Sequence, residues 1–232
     1  MQLAMYFNAL ICFVISAFTF YTSFFIYKKN KENFVDMAFA AAWFFSSMMW
    51  LFYAISLVLF KLGQVNLSLL INQYMVQTFV FIYGIAMAAY VSFRLLKSEK
   101  ISLLVILFFS ILSTIALYFD YQVGSVTLTK TTYYSFEYGL HSITWLIFVV
   151  SFSIIIAAVI LDLATNLFYW FKRRQFFDQK YFFATLSLLV YGMIGYFEES
   201  SIYATWISAL FRSAIILCSY IALISYKDKE II

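Results

Sequence analysis

Proline is absent from the 232 residues, glycine occurs six times, and charged side chains make up only 11% of the chain. Without proline and with so little glycine, few positions punctuate the chain into strands and turns. With so little charge, a soluble domain of this length could not cover its surface. The deficit is filled by apolar residues, 65% of the total, with a mean hydropathy of +0.92. Lipid is therefore the expected solvent, and backbone groups in lipid must be satisfied within their own segment. A β-barrel would alternate apolar and polar residues over about ten positions. The runs here are longer and apolar on every side, so the expected class is all-α.

Other scarcities exclude chemistry. The single histidine, His141, rules out a bis-histidine haem and a multi-histidine metal centre. All eleven lysines lie at loops or span ends, so no buried amine awaits a retinal Schiff base. The two cysteines, Cys12 and Cys218, sit inside separate apolar runs and read as packing residues, not as a disulfide. There is no Gly-rich phosphate loop and no activated Ser or Cys constellation. Glu198-Glu199 resembles the paired glutamates of some membrane proteases, but their histidine and basic partners are missing. No cofactor or metal is expected, nor enzymatic activity. The basic residues are scattered among short loops, which does not suggest nucleic acid.

A membrane span needs roughly 20 apolar residues, and charges bracket seven such runs. They are Leu3–Tyr27, Met37–Phe60, about Leu67–Phe93, Ile101–Phe119, about Leu140–Phe171, Tyr181–Phe197 and about Ser201–Tyr226. Placing the N-terminus outside puts twelve cations in cytoplasmic segments: Lys28, Lys29, Lys31, Arg94, Lys97, Lys100, Lys172, Arg173, Arg174, Lys180, Lys227 and Lys229. Only Lys61 and Lys130 then lie outside, and this bias sets the orientation. The first run carries its charges after the apolar stretch and has no basic leader, so it reads as a span and not a cleavable signal. The expectation is one seven-helix transmembrane domain over residues 1–232, in the cell membrane, with the C-terminus in the cytoplasm. An outer loop over 120–139 contains two short β-branched runs around Gly124-Ser125, compatible with a small β-hairpin or an irregular loop. The fifth span, about 48 Å long at the helical rise, must tilt or project.

Ionisable groups inside hydrocarbon are functional candidates by default. Asp162 in the fifth span and Arg212 in the seventh qualify. Rise per residue puts Arg212 roughly 9 Å further out than Asp162, so a direct pair and separate polar partners both stay open. Ser201, Thr205, Ser208, Arg212 and Ser219 share one face of the last helix. Asn66, Gln73, Gln77 and Gly84 share one face of the third, and Gln77 falls at the depth of Arg212. These stripes suggest either a polar pocket or seam opening outward, with His141, Glu198 and Glu199 at its outer rim, or hydrogen-bonding glue between helices. Among the outer carboxylates His141 is also a candidate pH sensor.

Several short features resemble the N-terminal seven-helix sensor region of prokaryotic histidine kinases. They are Lys28-Lys29-Asn30-Lys31 ahead of Trp43 and Trp50, Tyr138-Gly139 before the fifth helix, Arg173-Arg174-Gln175 before the sixth, and the closing Ala222-Leu223-Ile224-Ser225-Tyr226-Lys227. No kinase, cyclase or phosphodiesterase domain lies within these residues, and the helices lack the proline that family would lead one to expect. The resemblance implies a sensor or anchoring module whose output lies in another protein. Two readings follow. One is a non-enzymatic sensor, receptor-like or partner-anchoring module that meets the bilayer and a cytoplasmic or membrane protein through its basic loops. The other is a transporter, channel or membrane subunit of a translocation complex, with Asp162 and Arg212 lining a polar path.

Overall fold

Long apolar runs free of proline leave each backbone N–H one strong partner, the carbonyl four residues back, and helices dominate the structure. The computed structural model describes residues 3–96, 98–122, 128–131, 136–138, 140–173, 179–200 and 205–226. Its helices are α1 (Leu3–Asn30), α2 (Phe34–Lys61), α3 (Val65–Ile71), α4 (Gln77–Leu96), α5 (Glu99–Gln122), α6 (Ser142–Arg173), α7 (Gln179–Ser200) and α8 (Thr205–Ser225). A π turn over Asn72–Val76 joins α3 to α4 as one rod, and the Gln77 N–H there donates to the carbonyl of Asn72, five residues back. Two strands, β1 (Leu128–Thr131) and β2 (Phe136–Tyr138), pair antiparallel with a register shift between Leu128 and Lys130.

Among the described residues, five helical segments are long and apolar enough to cross a membrane: Ala4–Asn30, Phe34–Lys61, Val65–Leu96, Glu99–Gln122 and Ser142–Tyr169. A shorter apolar stretch, Arg212–Ser225, belongs to α8. Neighbours in the chain pack side by side, and α8 returns against α1. The α3–α4 rod joins α2 to α5 and also touches α6.

Burial is one-sided on the peripheral helices. Along α5, Leu103, Leu104, Leu107, Phe108, Ile111, Ile115 and Tyr118 all face outward, as expected where the surrounding medium is as apolar as the side chains. Small polar residues instead line the helix contacts. Ser16 of α1 and Ser47 of α2 exchange bonds to each other's carbonyls at 3.0 Å, and Ser23 donates to the Ala40 carbonyl at 2.7 Å. These short side chains let α1 and α2 approach closely. The centre is aromatic, with Phe39, Trp43 and Tyr90 fully buried.

Two glycines have definite jobs. Gly63, at φ +82°, ends α2 in a conformation that L side chains rarely adopt. Gly84 brings α4 against α6, where a Cβ would meet the Phe152 ring at 3.3 Å.

Candidate functional site

Cations gather at the end of the bundle that holds Lys28, Lys29 and Arg94 in the last turns of α1 and α4. Asn33 caps α2 there, its side chain accepting from the Val35 N–H at 2.9 Å. Because α2 starts so early, Asp36 falls in its first turn and is carried into the bundle, 1% exposed. A carboxylate suits a helix N-terminus, but burial requires further donors. Lys180 supplies its ammonium at 2.7 Å and Tyr226 its hydroxyl at 2.7 Å. The Lys180 ammonium also lies 4.4 Å from the Tyr226 ring centroid and 4.9 Å from that of Tyr181.

A second ion pair adjoins the first. Asp162, 4% exposed, faces Arg94 Nε at 3.4 Å and accepts from the Thr185 hydroxyl at 2.9 Å. The Thr185 hydroxyl has one hydrogen to donate. Because Asp162 receives it, the 2.8 Å contact between Tyr90 and Thr185 must run with Tyr90 donating. The proton order is Tyr90 to Thr185 to Asp162. The Arg94 guanidinium also lies 4.3 Å over Tyr181, whose hydroxyl accepts from Asn33 Nδ2 at 3.0 Å. Tyr181 thus stands between the two ion pairs, and α2, α4, α6, α7 and the residue after α8 are tied together. Each charge has an opposite partner, so the cluster is neutral as a whole.

Arg212 belongs to a different neighbourhood. Its Nη1 donates to Asn8 Oδ1 at 2.8 Å and its Nη2 to the Tyr53 hydroxyl at 3.3 Å. The guanidinium lies 4.9 Å from the Tyr53 centroid and 5.6 Å from that of Trp50. Trp50 Nε1 donates in turn to Tyr191 at 2.9 Å, and Ser46 donates to the same hydroxyl at 2.6 Å. Of the two arrangements open to Asp162 and Arg212, the structure has separate polar partners. Arg94 takes the carboxylate because its guanidinium starts near the same end of the bundle.

The two polar stripes also go to different neighbours. Gln73 donates to the Asp120 carbonyl on α5 at 2.7 Å, whereas Arg212 faces α1 and α2. The π turn contributes, since its wider winding re-phases the face on which Gln73 and Gln77 were aligned. Gln77 is buried. His141 serves locally, its Nδ1 accepting from the Ile143 N–H at 3.2 Å at the start of α6 and its ring stacking on Phe119 at 5.4 Å. Thr205 and Ser208 lie on α8, and Glu198 and Glu199 on the last turn of α7; their side chains fall outside the described residues. Among the described residues, no group of three or more His, Cys, Asp or Glu could hold a metal ion.

Sequence reasoning overlooked Arg94, Asp36 and Asn8. Arg94 was counted among the cytoplasmic cations that mark topology, and Asp36 falls one residue before the expected start of the second span. The signal for Asp36 was Asn33, a strong N-cap residue three positions earlier, which starts the helix before the aspartate.

No protein-family model matches the chain, and no curated protein matches it in sequence.

Proposed function

We propose that the chain is a seven-span membrane protein, N-terminus outside, acting as a non-enzymatic sensor whose basic end faces the cytoplasm and a partner protein. The twelve-to-two distribution of loop cations supports the orientation, with α7 and α8 as the last spans. The observation that carries the functional reading is the linked pair of ion pairs, Asp36–Lys180 and Asp162–Arg94. Buried charges in a conduction path must be able to exchange partners with a passing ion. Here each carboxylate is held by a cation and a hydroxyl from other parts of the bundle, which suits a latch between two helix arrangements. The likeness of the basic loops to histidine-kinase sensor regions supports the same reading. Arg212, set among Asn8, Tyr53 and Trp50, is the position in the other half of the bundle from which a ligand would bias that latch.

The test uses the full chain in liposomes. Spin labels at the basic ends of α4 and α7 should report one narrow distance distribution, which Asp36→Asn broadens or shifts. A proton- or cation-flux assay on the same vesicles should show no transport. Flux that falls in Asp162→Asn would replace this reading with the transporter alternative, and a distance distribution unchanged by Asp36→Asn would remove the latch.

A further inference from the structure

Asp120, near the C-terminal end of α5, takes part in neither ion pair. It is 2% exposed, and its Oδ2 is buried with no hydrogen-bond partner. The backbone N–H of His141 reaches the carboxyl group, and no lysine or arginine among the described residues lies within ion-pair distance of it. A buried carboxylate oxygen left this way is costly.

Neutral oxygens lie close to Asp120, and the charge-bearing side chain beside its carboxyl group is that of His141. Gln73, on the π turn, commits its amide nitrogen to the Asp120 main-chain carbonyl at 2.7 Å, which leaves the amide oxygen as its remaining polar atom. Asp120 also lies in the last turn of α5, where the carbonyls lack intrahelical partners and the helix dipole favours a cation. Asn72 and Gln73 are both buried at the same turn, and π turns recur at functional sites. No three-residue His, Cys, Asp or Glu group is present among the described residues. One carboxylate with neutral oxygens suits a single positive charge better than a divalent ion, which gathers more carboxylates.

We propose that Asp120, with the Gln73 amide oxygen, forms a binding site for a small monovalent cation between α5 and the π turn. The cation supplies the partner that Oδ2 lacks and draws α5 onto the α3–α4 rod. This site is independent of the sensor reading, since its occupancy requires no signalling partner.

The experiment compares thermal unfolding of the purified full chain in detergent, in sodium chloride and in choline chloride at equal ionic strength. Sodium should raise the midpoint by about 3–5 °C when present at tenfold its dissociation constant, and Asp120→Asn should remove the difference. The wild-type comparison stands by itself should that variant fold poorly. Equal midpoints in the two salts would overturn the proposal, as would a sodium effect that persists undiminished in Asp120→Asn. A midpoint that follows pH alone would do the same.

Discussion

Asp36 and Asp162 are both buried carboxylates, and the exposure of their cations sets how each responds to substitution. Lys180 keeps 30% of its side chain exposed, Arg94 only 14%. Asp36→Ala, which also strands the Tyr226 hydroxyl, is expected to cost about 3 kcal/mol. Lys180→Met should do more damage than Asp36→Ala, because the carboxylate it leaves behind is the more deeply buried of the two; chemical or thermal unfolding in detergent ranks them. For Asp162, a double-mutant cycle with Arg94→Gln should show coupling of about 1 kcal/mol or more, while the cycle with Arg212→Gln should be additive within a few tenths. Asp162 and Arg212 were legible in the sequence because a charge deep in an apolar run has no other reading. Their partners were not. Arg94 projects inward from a helix end, and side-chain reach is invisible to a count of rise per residue. Asn8 is a neutral amide among aromatics, and nothing in composition marks it as the acceptor for a guanidinium.

At the scale of elements, the helices follow from apolar runs that leave the backbone no alternative, and five of the runs form segments long enough to span a bilayer. Helix ends depend on single residues. Asn33→Ala should cost about 1 kcal/mol through loss of the cap and release Tyr181 from its 3.0 Å bond. A lower unfolding midpoint, with the change in tyrosine environment visible by near-UV circular dichroism, would report both. Gly63→Ala is expected to lose about 1 kcal/mol because φ is +82°, although its Cβ would meet nothing within 4 Å; an unchanged midpoint would argue against this backbone conformation. The π turn had no sequence signal. Asn72–Val76 contains no glycine or proline, and two bonds to α5, from Gln73 to the Asp120 carbonyl and from the Tyr121 hydroxyl to the Tyr74 carbonyl, give the wider turn a reason to persist.

Across the whole molecule, the same one-sided burial that exposes the leucines and phenylalanines of α5 requires an apolar solvent, and detergent removal should cause aggregation, read by size-exclusion chromatography. Within the ring, α4 and α6 meet at Gly84. Gly84→Leu should wedge them apart, since even a methyl group would stand 3.3 Å from Phe152, and the unfolding midpoint should fall further than for Gly84→Ala. The seven-run pattern and the loop charges were read from sequence, but how the ring closes, with α8 on α1 and the α3–α4 rod between α2, α5 and α6, depends on small-residue contacts spread over the chain.

A chain without proline builds stiff rods that resist bending at mid-length. Movement in such an assembly takes the form of pivoting, rolling or axial slippage. Among the described helices the rod containing the π turn already carries one residue of slack in its ladder. Passing that slack up or down by a single step would rotate only the residue it passes by about 100° and leave both ends of the rod anchored. Repeated steps of this kind would carry a reorientation along the rod with little change in outer shape.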